Sequence, residues 1–236
     1  NIAREIQKGL LPNVLPTMQG FDIAAANISS KQVGGDYYDV IPAREGEYVV
    51  AIGDVSGKGT PAALLMANIQ ASIRALVPLH LPLSDLTHRV NDLMCENTGG
   101  SKFVTFFWAM INVLTKQITY VNAGHNYPYL IRADGTLRRL DKGGMILGVM
   151  KTTIPYEEEG IDLESGDVLV LFTDGVSEAM SRDSVEYGEE RLLGVLRKHV
   201  NESSQSIINK LHEDIQLHAD GAQQSDDITM MVVKVA

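Results

Sequence analysis

The stretch GDVSGKGT (residues 53–60) follows an apolar run at 48–52 and precedes a segment whose periodicity predicts a helix. A strand, a glycine-rich turn containing Gly-Lys and a helix, in that order, are typical of a phosphate-binding P-loop. The P-loop pattern G-x-x-x-x-G-K-[ST] fails here, because Ile52 stands at its first glycine and Gly59 replaces its hydroxyl residue. The alternative interpretation is that this turn presents Asp54 at the end of a strand.

A hairpin folded about Glu45 would place Asp36 opposite Asp54. The two predicted strands, 33–41 and 47–55, are joined by a short turn that contains glycine. Cross-strand neighbours have Cβ atoms about 5 Å apart, so two ionised carboxylates in these positions would repel each other. A cation between them is the simplest remedy, although a β-bulge could shift this register by one residue.

Further carboxylates lie at the ends of other predicted strands. Asp174 ends one strand in the sequence FTDG, and Asp226-Asp227 begin the last strand. If these strands are antiparallel neighbours, the end of one lies beside the start of the other. Asp39 is an odd number of positions from Asp36, so it points to the opposite face of its strand. We therefore expect Asp39 to have a structural role or to support a ligand, and not to bind a metal directly.

The candidate ligands offer only oxygen atoms, which suit hard cations such as Mg²⁺ or Mn²⁺. The single cysteine, Cys95, excludes a zinc site built from several thiolates, and the EF-hand calcium pattern is absent from the sequence. Two such ions about 3.5–4 Å apart can activate a water and orient a phosphoryl group for in-line attack. This chemistry needs no serine or cysteine nucleophile, and the sequence has no G-x-S-x-G motif.

The composition is that of an ordinary globular protein. The chain has 236 residues, of which 44% are hydrophobic and 21% charged, enough for one large domain or two small ones. The net charge of −10 disfavours nucleic-acid binding and reflects either solubility or carboxylates that are offset by bound cations. No signal peptide or apolar run long enough to span a bilayer is evident, and the cysteine content suits a reducing cytoplasm.

Helices are predicted in pairs and strands in antiparallel runs with short turns, which indicates an α+β domain and not alternating βαβ units. The predicted strands cover 21–29, 33–41, 47–55, 103–114, 117–123, 129–133, 154–161, 167–172 and 228–235. The predicted helices cover 2–11, 61–77, 84–97, 189–198 and 203–218.

The strand at 48–55 is apolar on both faces and is expected to be covered on both sides. This favours an α-β-β-α four-layer sandwich of two mostly antiparallel sheets flanked by helix pairs. Thr60 is expected to cap the following helix with its hydroxyl, and Pro61 to occupy its first position.

Six motifs occur in this order along the chain: VGGDYYDV, IGDVSGKGTPAALLMA, FVTFF, YVNAGHNYP, LFTDGVSEA and DDITMMVV. With them, the chain from Ser30 onward resembles the bacterial SpoIIE/RsbU-like branch of the PP2C (PPM) metal-dependent serine/threonine phosphatases. The resemblance implies a centre with two Mn²⁺ or Mg²⁺ ions. It also implies that a metal-activated water hydrolyses phosphoserine or phosphothreonine, typically on an anti-sigma-factor antagonist of the STAS type.

The same resemblance implies which residues bind the ions. Asp54 would bridge both ions, and Asp227 would support the ligand that precedes it. The implied ligands are Asp36 for one metal, Asp174 and Asp226 for the other, and Asp54 with the backbone carbonyl of Val55.

The eukaryotic PP2C pattern has an arginine near the first motif that clamps the substrate phosphate, and this sequence has no arginine in such a position. How the substrate phosphate is held is therefore left open. Lys58 is the nearest candidate, and a solvated loop lysine is the alternative. His125 is a candidate proton donor to the leaving group, and a histidine that packs its own loop is the alternative.

Residues 1–16 are expected to form a linker or regulatory helix from an upstream region, and residues 17–236 the phosphatase domain. The chain starts at Asn1 without a methionine, which suggests a fragment of a longer protein. The helix either packs on the sheet or joins upstream sensor modules or an activator, with a possible homodimer. A pseudophosphatase that still docks its partner, and a phosphohydrolase acting on small molecules, are the alternative functions.

Overall fold

Two β-sheets pack face to face, with helices on their outer sides, in the computed structural model, which describes residues 2–236. The strands in chain order are β1 (Phe21–Ile28), β2 (Tyr37–Arg44), β3 (Glu47–Val55), β4 (Val104–Asn112), β5 (Gln117–Ala123), β6 (Tyr129–Ile131), β7 (Leu137–Arg139), β8 (Gly143–Gly144), β9 (Glu159–Asp162), β10 (Val168–Phe172) and β11 (Ile228–Val235). The helices are α1 (Ile2–Leu10), α2 (Thr60–Leu76), α3 (Leu83–Thr98), α4 (Asp174–Ser177), α5 (Glu189–His199) and α6 (Ser204–Ala219).

One sheet has the order β1-β11-β10-β6-β7, and the other has the order β2-β3-β4-β5-β8, with β9 also paired to β5. Apart from the parallel contact of β5 with β8, the named strand pairs are antiparallel. Helices α2 and α3 cover the second sheet, and α5 and α6 cover the first. The predicted four-layer α-β-β-α architecture is confirmed.

Strand β3 shows why the sandwich has this form. Val49 and Ala51 pack toward α2 and α3, whereas Val50 and Ile52 pack between the two sheets, and all four side chains are fully buried. Because successive residues of a strand point to opposite faces, a strand that is apolar at every position must be covered on both sides.

The hairpin register agrees with the prediction, although the turn differs. Tyr37 pairs with Gly53, and Pro42 pairs with Tyr48. One residue beyond the first pair, this register places Asp36 opposite Asp54. The turn has two residues, and a bulge between Pro42 and Arg44 restores the register expected for a turn centred on Glu45. Asp36 itself lies in a loop, because the strand predicted at 33–41 begins only at Tyr37.

Three other sequence expectations were wrong. Thr60 is the first residue of α2, and the cap is Gly59 without a side-chain hydrogen bond. Of the strand predicted at 154–161, only β9 forms, at its end. The helical stretch Thr60–Leu79 is long and apolar enough to cross a membrane by length and composition alone, contrary to the expectation that no such run exists. In this fold, its residues Met66 and Ile69 are fully buried in the core between α2 and the sheet.

Asp39 is fully buried and ties β2 to α2. Its carboxylate accepts hydrogen bonds from Arg74 Nε at 2.8 Å, Arg74 Nη2 at 2.9 Å and the Tyr37 hydroxyl at 2.9 Å. The structure therefore gives Asp39 a packing role on the helix side of the sheet, which is the structural alternative predicted from its position in the strand.

Replacing Arg74 by alanine should destabilise the domain by about 3 kcal/mol, because it leaves the fully buried carboxylate of Asp39 without its charged partner. Urea denaturation would measure this loss. The matched control is Arg44→Ala, which removes a surface ion pair with Glu47 and should cost less than about 1 kcal/mol. Equal losses for the two variants would contradict a structural role for the Asp39–Arg74 pair.

Candidate metal centre

The space between the two sheets changes from apolar to polar at one end of the sandwich. Along the strands, the positions that face this space carry side chains such as Ile52, Phe107 and Leu171. At the end of the sandwich, the same alternation leads to carboxylates and hydroxyls instead. These polar residues are Asp36, Asp54, Thr105, Thr173 and Thr229.

Asp36 is held by two threonines from the opposite sheet. Its Oδ2 accepts hydrogen bonds from Thr173 Oγ1 at 2.8 Å and from Thr229 Oγ1 at 2.5 Å. Thr173 Oγ1 also accepts the backbone N–H of Thr229, and Thr229 Oγ1 accepts the side-chain amide of Asn27. Since both hydroxyls receive a bond from elsewhere, their own hydrogens are directed to Asp36.

The carboxyl group of Asp36 is only 4% exposed. Burial raises its pKa well above the ordinary value, the neighbouring charge of Asp54 raises it further, and the two threonine hydrogen bonds oppose the shift. The site therefore concentrates negative charge in a place that water cannot fully solvate.

Asp54 lies at the end of β3 beside three other acids. The pKa of Asp54 is raised to about 7, first by burial and then by the charges of Asp174 and Asp226, while a hydrogen bond with Asp36 opposes the shift. The pKa of Asp174 is also raised, first by burial and then by Asp226. The predicted neighbourhood of Asp174 and Asp226 is present, because β10 and β11 are antiparallel and Phe172 pairs with Met230.

Lys58 supplies a positive charge to this acidic group. Its Nζ lies 2.7 Å from Asp226 Oδ2 and donates a hydrogen bond of 2.8 Å to the backbone carbonyl of Ser225. The ammonium group thus offsets part of the negative charge at Asp226. The lysine of GDVSGKGT thus contacts a candidate metal ligand, as expected if the turn serves the aspartates and is not a P-loop.

Asp227 anchors the loop that carries Asp36. Its Oδ1 accepts hydrogen bonds from the backbone and hydroxyl of Ser30, at 2.7 and 3.1 Å, and its Oδ2 accepts the backbone N–H of Gly35 at 2.9 Å. The side chain is 6% exposed. Asp227 therefore positions the loop that leads to Asp36, and its support of a metal ligand stays a prediction.

The glycines beside the aspartates are needed for close approach. A Cβ on Gly34 would lie 2.0 Å from Asp227 Oδ2, and a Cβ on Gly175 would lie 1.9 Å from the carbonyl oxygen of Asp227. A Cβ on Gly35 would lie 2.9 Å from the carbonyl oxygen of Val55. This last contact places the Val55 carbonyl against the loop that leads into Asp36.

His125 is buried and joins the two sheets. Its Nε2 lies 3.1 Å from the Phe172 carbonyl and must donate, so Nδ1 accepts the hydroxyl of Thr105 at 3.0 Å. Burial lowers its pKa to about 4, so the ring is neutral near pH 7. His125 is 2% exposed and both of its ring nitrogens are hydrogen-bonded, which favours the alternative of a histidine that packs its loop. Its role as a proton donor stays a prediction.

The donor set fits hard divalent cations in its chemistry. It consists of carboxylates and one backbone carbonyl, and the pKa values of three aspartates are raised first by burial and then by mutual repulsion, both of which a bound cation would offset. As the side chains stand, no three acidic, histidine or cysteine groups among residues 2–236 are close enough to enclose one ion. Coordination of one ion by three of these groups would therefore require their side chains to move.

Helix α1 reaches this loop from outside the sandwich. Gln7, which is 9% exposed, donates from Nε2 to the carbonyl of Gly34 at 2.6 Å and accepts the N–H of Gly34 at 3.0 Å. Sequence reasoning missed Gln7, because nothing local marks a glutamine on a polar helix face as a long-range partner.

The structure brings Asp36, Asp54, Asp174 and Asp226 to one end of the sandwich and leaves Asp39 on the helix side of the sheet. Sequence reasoning also missed Thr105, Thr173 and Thr229. A signal for them exists, since each threonine lies within one of the six motifs, at an inward-facing position in or directly after a strand, where an apolar residue is the norm.

The sequence profile of the family described as Stage II sporulation protein E (SpoIIE) matches residues 44–236 of the chain. The chain is similar to phosphoserine phosphatase RsbU of Bacillus subtilis (strain 168), with 32% identity over 234 residues. That match covers 99% of this chain and 69% of the relative.

Two solved structures share the fold. The SiaA-PP2C domain of Pseudomonas aeruginosa has a TM-score of 0.87 at 19% identity, with 100% of this chain and 95% of that one covered. The structure of the RsbU and RsbW domains of Rv1364c from Mycobacterium tuberculosis has a TM-score of 0.80 at 23% identity. Here the match covers 95% of this chain but 62% of the other.

The raised pKa of Asp54 predicts how stability depends on pH when divalent ions are removed. A carboxyl with a pKa of about 7 in the folded state and an ordinary value of 3.8 in the unfolded state binds more protons when folded, so stability falls as pH rises through 7. Between pH 8 and pH 6, the free energy of unfolding in EDTA should therefore increase by about 1 kcal/mol from this group.

Urea denaturation at pH 6, 7 and 8 would measure this slope, and Asp54→Asn should flatten it. A slope that is the same in the wild type and in Asp54→Asn would show that Asp54 does not titrate in this range.

Proposed function

Because the chain belongs to the SpoIIE family of PPM-type (PP2C) protein serine/threonine phosphatases, we propose that it hydrolyses phosphoserine or phosphothreonine on a partner protein. The observation that carries the proposal is the convergence of Asp36, Asp54, Asp174 and Asp226 at one end of the sandwich, with raised pKa values at the first three. This charge density suits cations and the phosphate that they would bind.

Two Mn²⁺ or Mg²⁺ ions are the proposed cofactors. Asp36 would hold one ion, Asp174 and Asp226 the other, and Asp54 both, with the carbonyl of Val55 as a further oxygen donor. When bound, such ions offset phosphate charge and make water a competent nucleophile near neutral pH. The alternatives of a pseudophosphatase and of a small-molecule phosphohydrolase are not favoured by a specific feature of this site.

Other residues of the chain would position the metal ligands and the substrate phosphate. Thr173 and Thr229 fix Oδ2 of Asp36, so the other carboxylate oxygen remains for an ion. Lys58 would leave Asp226 when a cation takes its place, and its ammonium would then be available at the mouth of the site for a phosphate oxygen. Lys58 would then supply the positive charge that contacts the phosphate, since no arginine is present near the first motif to do so.

The proposed substrate is a phosphorylated STAS-type anti-sigma-factor antagonist, as the family resemblance implies. The similarity to the M. tuberculosis structure, which contains RsbU and RsbW domains, supports a place in partner switching. We propose a cytoplasmic location, in keeping with the free Cys95.

Residues 1–16 are proposed to connect the phosphatase domain at 17–236 to an upstream sensor or activator. Ile2 and Ile6 on α1 are 75% and 63% exposed, so this helix presents an apolar face that a second helix could cover, including one from a homodimer partner. Gln7 on the same helix holds Gly34, two residues before Asp36. A change at α1 can therefore reach a proposed ligand through one pair of hydrogen bonds.

The chain should hydrolyse p-nitrophenyl phosphate in the presence of Mn²⁺, and Asp54→Asn or Asp174→Asn should each lower kcat/KM by at least about a hundredfold. Changes beside metal ligands typically cost about 10–100-fold, and loss of a ligand should exceed that range. The matched control is Asp183→Asn, which changes an exposed aspartate. Full activity in Asp54→Asn would refute the proposed centre, and an inactive wild type would favour the pseudophosphatase.

Replacing Gln7 by alanine should raise the Mn²⁺ concentration needed for half-maximal activity by about tenfold, because the loop of Asp36 loses its outer support. Removal of residues 1–11 should have the same effect. Glu5→Ala, on the exposed side of α1, is the control. If Gln7→Ala and Glu5→Ala have the same metal dependence, α1 does not act through Gly34.

A further inference from the structure

Exposed apolar side chains lie on two segments, at 103 and 145–154, which are joined by the Val104–Leu147 bridge. On the surface of a soluble protein, single exposed hydrophobic residues are common, whereas a cluster of them marks an interaction site. The cluster, called here the apolar rim, consists of Phe103 (43% exposed), Met145 (49%), Val149 (41%), Met150 (49%) and Ile154 (75%).

The apolar rim is connected to the candidate centre through Ser56. The backbone N–H of Ser56 donates to the carbonyl of Phe103 at 2.9 Å, and the hydroxyl of Ser56 accepts the N–H of Phe103 at 3.0 Å. Ser56 directly follows Val55 and is two residues from Asp54. The rim therefore begins where the loop of proposed metal ligands ends.

Buried polar contacts fix the segment that carries most of the apolar rim. Leu147 and Val104 exchange two backbone hydrogen bonds of 2.9 Å. The side chain of Asn91, which is 2% exposed, accepts the N–H of Gly148 at 2.9 Å and donates to the carbonyl of Met150 at 2.9 Å. The exposed side chains are thus presented by a backbone that is held from beneath, which lowers the entropy cost of binding.

The shape and charge of this surface favour a polypeptide as its occupant. Met145, Met150 and Ile154 line a cavity of about 130 Å³, well below the ~300–1,000 Å³ of sites for small molecules. A cavity of that size takes one apolar side chain, and methionines adapt to different shapes. At the other end of the rim, a Cβ on Gly57 would lie 3.0 Å from Lys102 Nζ, so a cation adjoins the apolar surface on the side of the metal centre.

We propose that the apolar rim is the docking surface for the phosphorylated protein substrate, and that it binds apolar side chains located near the phosphoserine or phosphothreonine. The proposal rests on the proposed phosphatase function, since it names the recognition surface of the same site. The phosphate would lie at the acidic centre with its ions, and the apolar neighbours of the phosphorylated residue would cover the rim.

Two phosphonate peptides, each with a non-hydrolysable analogue of phosphoserine at its centre, provide the test. One carries leucines and the other serines at the three positions on either side. Fluorescence anisotropy with the full chain and Mn²⁺ should show that the leucine peptide binds about tenfold more tightly, the gain expected from burial of one or two apolar side chains. The serine peptide is the internal reference for each variant.

Two independent double variants should each remove this preference: Val149→Ser with Met150→Ser, and Met145→Ser with Ile154→Ser. The side chains that they change are exposed, so the fold should be retained, and Leu217→Ser at a remote exposed position (74%) is the matched control. Equal binding of the two peptides to the wild type, or a preference that survives both double variants, would overturn the proposal.

Two further outcomes separate this inference from the proposed function. Hydrolysis of the corresponding phosphoserine peptides is measured in parallel. A preference that depends on the rim, without any hydrolysis, would support the docking surface and refute the phosphatase. A dimer in light scattering that dissociates in both double variants would assign the rim to a second copy of the chain, which would overturn the docking proposal.

Discussion

The crowding of four carboxylates at one end of a β-sandwich is the constraint on which the arrangement of this domain depends. Asp54, at an inward-facing position of β3, and Asp36, in the loop before β2, lie at one end of the space between the sheets, where charge is costly to bury. Thr173 and Thr229 compensate with hydrogen bonds, and Lys58 compensates with charge. The negative charge that remains uncompensated makes this end of the sandwich suited to cations.

A single carboxylate that is not a proposed ligand explains much of the sequence around the centre. Asp227 binds Ser30 and Gly35 and lies against the positions where Gly34 and Gly175 would carry a Cβ. The glycines of GGD and TDG are thus required by the approach of one buried side chain and its backbone. Gly53 has a comparable reason, because a Cβ there would lie 2.8 Å from the ring of Phe106.

The fold could be predicted because short-range patterns determine its strands and helices, whereas the prediction of the four aspartates rests on the family resemblance as well as on their positions at strand ends. Alternation along β3 identified both covered faces, and counting from the turn placed Asp36 opposite Asp54, with a bulge compensating for the shorter turn. Long-range contacts could not be predicted in the same way. The bonds from Gln7 to Gly34 and from Asp36 to Thr229 join residues 27 and 193 positions apart, and no local pattern marks either one.

The two loops that carry the first proposed ligands are supported from different surfaces. The loop of Asp36 is held by Gln7 of α1, whose exposed apolar face is available to an upstream partner. The loop of Asp54 and Val55 is tied through Ser56 to Phe103, where the apolar rim begins. Signals from upstream and contacts from a substrate would therefore act on separate ligands of one centre. Because Asp54 is proposed to bridge both ions and Asp36 to hold one, each surface would influence the same chemistry without sharing a contact with the other.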